Sequence, residues 1–158
     1  MQSIIIPAYI NASHLNLLSG YWGAILVYAA LGTPFSTFLM TSYFRGLPDD
    51  LVEASVIDGL SFSKIFLLIG LPLAVPAIVT VIVLQFIQVW DDLLVGLLFI
   101  QDPGYRTITV GLGALAAGRV VDIPVLLAGS LISAIPAIVV YLIFQRQLVN
   151  GLTAGIGK

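Results

Sequence analysis

Eight carboxylates, six cations and one histidine are the groups with which this 158-residue chain could do acid–base or metal chemistry. Their spacing argues against both. Asp91 and Asp92 are neighbours in "VWDDLL", and adjacent positions on a helix point about 100° apart, so they form no tidy acid/base or metal-binding pair. His14 has no second histidine to share a metal with. The chain has no cysteine, which excludes disulfides and thiolate metal sites. No nucleophile–base pair stands out, so a hydrolase or metalloenzyme is not expected. "GLTAGIGK" superficially suggests a phosphate-binding loop, but Leu152 stands where the motif needs glycine and no strand pattern precedes it. The chain is therefore not expected to hold ATP. What remains is an acidic cluster: Asp49, Asp50, Glu53 and Asp58 fall within the ten residues "DDLVEASVID".

The elements around that cluster are apolar. The chain is 59% hydrophobic and 9% charged, with mean hydropathy +1.11, whereas soluble domains carry about 25% charged residues. Runs 1–44, 65–90 and 123–145 contain no Asp, Glu, Lys or Arg, and about 20 apolar residues suffice to cross a bilayer core. The reading is an integral membrane protein of the all-α class. Complete spans are expected at about 22–44, 72–100 and 123–145, with residues 1–10 as the end of another. Tyr21, Trp22, Tyr43 and Phe44 suit the headgroup level at the ends of the first span. Between the spans lie a loop at 45–71, a Gly-rich loop at 101–122 and a tail at 146–158. Arg45, Lys64, Arg146 and Lys158 fall on one side, Arg106 and Arg119 on the other. That asymmetry favours a cytoplasmic loop 45–71 and C-terminus. No basic patch invites nucleic acid.

Within 45–71, Pro48 can open a helix, and Asp49, Asp50 and Glu53 suit the positive end of its dipole. Gly59 is placed to end it in a left-handed conformation, and Ser61 to cap a second helix. Phe62, Ile65, Phe66 and Ile69 then recur at i, i+3, i+4 and i+7 as one apolar stripe. Pro72 is expected to close that element. Two readings follow: a pair of helices lying on the bilayer, or a docking elbow for a soluble partner. An anionic leaflet favours basic segments over acidic ones, which tilts the balance toward a protein.

"EASVIDGLSFSKIFLLIGLPL" resembles the EAA loop of ATP-binding-cassette import permeases. Glu53, Ala54, Asp58, Gly59, Ser61, Ile65, Phe66, Ile69, Leu71 and Pro72 fall in register with it, while Ser55 and Leu60 stand where small residues are usual. "FIQVWDDLLVGLLFI", "TITVGLGALAAG" and "QRQLVNGLTAGIGK" are similar to the carbohydrate branch, near the second maltose and glycerol-phosphate permeases. The resemblance covers essentially the whole chain. It implies a helical bundle of the type I importer kind, three spans and the end of another, with about half of a six-span subunit expected before residue 1. It implies a multi-pass inner-membrane permease, with loop 101–122 periplasmic. It also implies partners: a cytoplasmic ATPase dimer carrying ATP and Mg, a second permease, an extracytoplasmic solute-binding protein and a sugar. Contact with the ATPase would involve Glu53, Ala54, Ser55, Asp58, Gly59, Leu60, Phe62 and Phe66.

The polar residues of the second span leave alternatives open. Intramembrane acids usually face a cavity or a polar partner. Asp91 or Asp92 could line a solute path, with Trp90 stacking on a sugar face, or the helix could bend there and the acids meet the interface. Asp91 also departs from the family, which often has Asn at that place. Gln85 and Gln88 could pack across helices or face the same path. An alternative class is an ion-coupled transporter fragment, which would need a coupling-ion site at the midplane, or a non-transporting membrane scaffold.

Overall fold

A computed structural model describes residues 2–118 and 122–154, and among these residues there is helix and loop but no strand. The helices, in order, are α1 (Gln2–His14), α2 (Tyr21–Arg45), α3 (Asp49–Ile57), α4 (Phe62–Ile65), a π-helical turn (Phe66–Gly70), α5 (Leu71–Leu73), α6 (Val75–Asp91), α7 (Leu94–Phe99), a 3₁₀ turn (Pro103–Tyr105), α8 (Ile108–Ala116) and α9 (Ile123–Ala154). Among the described residues two helices are long and apolar enough to cross a membrane, Tyr21–Arg45 and Ile123–Leu148; Phe62–Leu73 and Val75–Asp91 together make a third candidate, bent by 65° at the break. At 1.5 Å per residue the 25 residues of α2 extend about 37 Å, enough for a core of about 30 Å. Prolines 7, 34 and 136 sit inside α1, α2 and α9, a use of proline that lipid-embedded helices tolerate.

The segment 72–100, expected as one long span, is broken twice. Ala74 separates α5 from α6, and residues 92–93 separate α6 from α7. Pro72 does not close its element; the helix continues through it to Leu73. A proline inside a helix lacks the i→i−4 donor and its ring crowds the carbonyl four residues back. The turn before Pro72 has widened accordingly, with the Leu71 N–H reaching the Phe66 carbonyl, five residues back, as in a π-bulge. Loop 101–122 is not wholly irregular either, since α8 lies inside it, its first turn capped by Thr107, whose Oγ1 accepts from the Val110 N–H at 3.4 Å. Helix α1 runs on to His14. Helix α9 continues to Ala154 without a break at residue 145. Asp122 begins it, its Oδ1 accepting from the Val125 N–H at 3.3 Å. Arg119 and the tail residues 155–158, including Lys158, lie outside the described residues.

The chain divides into two compact units. One holds the described residues up to Thr33 with Phe86–Val139. Its core is Ile5, Ala12, Ala24, Val95, Phe99 and Ile100, with Tyr9, Val27, Tyr28 and Leu31 packed around it. Small residues let its helices close up: a Cβ on Gly96 would stand 2.9 Å from Val110 Cγ2. The other unit holds Pro34–Gln85 with the described residues from Val140. Ala74, Ala77, Thr80 and Val83 are buried in it. The Thr80 hydroxyl lies 2.9 Å from both the Pro76 and the Gln147 carbonyls, which ties α6 to α9.

Candidate functional site

The acidic cluster forms the elbow that its helix signals suggest. Pro48 takes the N-cap position in extended conformation, one residue before the helical stretch, and α3 opens on Asp49 and Asp50. These carboxylates sit where the first, unpartnered N–H groups leave positive charge. Helix α3 ends in a Schellman motif. The Leu60 N–H reaches the Ser55 carbonyl at 3.1 Å and the Gly59 N–H reaches the Val56 carbonyl at 3.0 Å, the 6→1 and 5→2 pair that satisfies two end carbonyls. Gly59 carries the turn at φ +77°, a conformation that a Cβ resists. Nothing lies within 4 Å of where that Cβ would be, so the need for glycine is one of backbone conformation and not of space. Leu60, partly buried, occupies the position where the motif favours a hydrophobic residue. Ser61 stands at the N-cap of α4 but makes no side-chain capping bond.

Ser55 faces inward, 4% exposed, and its hydroxyl donates to the Leu51 carbonyl at 2.6 Å. A serine in place of alanine therefore brings no unpaired polar group into the elbow. Glu53, Ala54, Asp58 and Gly59 are exposed. Two large apolar side chains flank the turn in the open, Ile57 at 85% and Phe62 at 82% exposure. Phe66 is about half exposed at 46%, while Ile65 is buried, so the residues of the expected stripe differ in exposure although they line one groove. Inside the elbow, a largely apolar groove of about 180 Å³ lies among Phe44, Leu51, Val52, Phe62, Ile65, Phe66 and Ile69. The elbow meets its spans at the end of α2 and at the α5–α6 break, where the Tyr43 hydroxyl donates to the Leu73 carbonyl at 2.7 Å.

The second set of candidates sits around the α6–α7 break, and its members differ in role. Asp92 is partly buried. Its Oδ2 accepts from the Val95 N–H at 2.7 Å and from the Tyr28 hydroxyl at 3.1 Å. Its backbone carbonyl accepts from Thr109 Oγ1 at 3.1 Å. The carboxylate thus caps the first turn of α7 and ties it to α2. Asp91 is exposed beside it. The Trp90 indole N–H donates to the Ser133 carbonyl at 2.9 Å, one position past Ile132, whose carbonyl Pro136 cannot serve, and the ring stacks on Phe86 at 5.6 Å. Gln88 is exposed. Gln85 donates to Ser36 Oγ of α2 at 3.2 Å, a contact within the unit that holds Pro34–Gln85. Tyr28 and Tyr43 were not among the sequence candidates; their partners lie 64 and 30 positions away, and no local pattern marks such pairings.

Comparison with known proteins agrees across nearly the whole chain. Residues 3–154 match the family described as binding-protein-dependent transport system inner membrane component. The chain is 37% identical over 154 residues to a probable ABC transporter permease protein, YurM, of Bacillus subtilis, covering 98% of this chain and 51% of the relative. It is 40% identical over 143 residues to the trehalose/maltose transport system permease protein MalG of Thermococcus litoralis, covering 89% and 51%. It is 32% identical over 155 residues to the sulfoquinovosyl glycerol transport system permease protein SmoH of Agrobacterium fabrum, covering 98% and 54%. The chain thus spans about half the length of the curated relatives it matches. With a helical chain, apolar spans and an acidic elbow already in place, the match over residues 3–154 settles the family: the chain belongs to the binding-protein-dependent transport system inner membrane components.

Proposed function

We propose that this chain is part of a permease subunit of an ATP-driven importer for carbohydrate-like solutes, and that its elbow docks in a cleft of a separate cytoplasmic ATPase. One observation carries the docking reading. The Gly59 turn is closed by its own backbone bonds and presents Ile57 and Phe62 in the open beside Asp58 and Glu53. An apolar tip ringed by carboxylates suits a protein cleft with an apolar floor and basic or N–H donors at its rim. It suits an anionic leaflet less well. The sugar class is suggested by the relatives named for trehalose/maltose and sulfoquinovosyl glycerol. ATP and Mg would be held by the ATPase and no cofactor by this chain. The other partners would be a second permease and an extracytoplasmic binding protein.

In this reading the solute path draws on the polar residues of α6 unequally. Asp91 and Gln88 are exposed and available to a solute, whereas Asp92 and Trp90 already spend hydrogen bonds on holding α7 and α9. The same use of the Asp92 carboxylate weakens the case for an ion-coupled carrier, which would need that group for its ion. The elbow is tested by co-purification of the full subunit with its ATPase. Asp58→Lys should lose the ATPase and solute uptake together; retention of both would remove the docking reading.

A further inference from the structure

The last turn of α2 carries Tyr43 and Phe44, aromatic residues whose type suits the membrane interface, yet both are turned against the elbow. The Tyr43 hydroxyl donates to the Leu73 carbonyl at 2.7 Å. The Phe44 ring lies 6.2 Å from that of Phe66, and its Cε1 is 3.6 Å from where a Cβ on Gly70 would stand. Phe66 and Gly70 are the two ends of the π-turn, and Leu73 is the last residue before the break at Ala74, where the helix axis turns by 65°. Prolines 72 and 76 flank that break, and neither has an N–H with which to restore the ladder. Two ladder bonds still meet at the break, the Ala74 N–H to the Gly70 carbonyl and the Ile78 N–H to the Ala74 carbonyl, both at 2.9 Å, so the helix's own hydrogen bonds set the angle between the elbow and α6 only in part. A broken helix with released carbonyls is a joint unless another group fills them.

We propose that Tyr43 is a positioning residue that latches this joint. Its bond to Leu73, with Phe44 packed on the π-turn, fixes the angle between the elbow and α6. A displacement of the elbow then reaches α6 as a rigid movement and is not absorbed at Ala74. This inference rests on the reading of the elbow as the ATPase contact.

The test uses the full transporter assembled in proteoliposomes. Tyr43→Phe removes the hydroxyl and keeps the ring. The expected result is normal assembly and ATP hydrolysis, with solute moved per ATP reduced roughly 2- to 12-fold, the equilibrium weight of one neutral hydrogen bond. An unchanged ratio overturns the latch, as does a proportional fall in transport and hydrolysis, which marks a loss of stability. Should the variant fail to assemble, spin labels decide in the otherwise native chain, which has no cysteine of its own. With Ser63→Cys on the elbow and Ile82→Cys on α6, both exposed, the latch requires one distance distribution with and without ATP. A distribution that shifts between those states overturns it. Asp58→Lys, run in parallel, separates the two ideas. If that variant keeps its ATPase, the docking reading fails; if it loses the ATPase while Tyr43→Phe keeps the native ratio, the latch alone fails.

Discussion

At Gly59 the demand is for backbone conformation, since the space around the missing Cβ is open. Gly59→Val should strain the turn by about 1–2 kcal/mol, whereas Gly59→Asn should be close to neutral, because Asn tolerates the left-handed region. ATPase co-purification of the two variants checks this; equal retention would show that the turn geometry is not what the partner reads. The two aspartates of "VWDDLL" should separate in the same manner. Asp92→Ala removes the acceptor for Val95 and Tyr28 and should lower stability by about 0.5–2 kcal/mol, as the loss of a helix cap does. Asp91→Ala should leave thermal unfolding in detergent unchanged and alter solute selectivity. The need for Gly59 was legible in the sequence because a helix stop is a local signal. The division of labour between Asp91 and Asp92 was not, because it depends on Tyr28, 64 positions away.

Among elements, the elbow was the most readable. Its dipole acids, its glycine stop and its second helix are all encoded within a few residues of where they act. The stripe Phe62, Ile65, Phe66 and Ile69 lines one groove, but the helix that carries it is not regular, since a π-turn occupies Phe66–Gly70. The cause is Pro72, whose effect falls on the turn before it. The glycines of α8, Gly111 and Gly113, are loop signals in the sequence; packing overrides them. A Cβ on Gly113 would stand 2.8 Å from Leu93 Cδ1, so this glycine marks a close approach within a helix. The same logic holds for Gly96 against Val110. Gly96→Leu should overpack the α7–α8 contact and cost about 1–3 kcal/mol, read as a lowered unfolding temperature in detergent. Gly111→Ala, with open space around it, should be neutral or stabilising.

For the molecule as a whole, solvent decides what the helices can bury. In the apolar window of α9 no residue is buried, and Leu131, Ile132, Ile135, Ile138 and Leu142 are all exposed. Such a surface needs acyl chains or the helices of neighbouring segments, and the relatives are about twice as long as this chain. Sidedness can be read directly, because the native chain carries no thiol. Ser63→Cys should react with a membrane-impermeant maleimide only when the cytoplasmic face is open, and Asp102→Cys only from the opposite face. The chain also holds only two tryptophans, and they differ sharply. Trp22 is 70% exposed, while the Trp90 indole is bound to the Ser133 carbonyl of α9 and stacked on Phe86. Replacing Trp22 with Phe would leave Trp90 as the one tryptophan of these 158 residues, with an emission maximum that reports whether that indole bond is made or broken. The contact that holds α6 to α9 is thereby also an optical gauge of its own making and breaking, with no foreign dye attached.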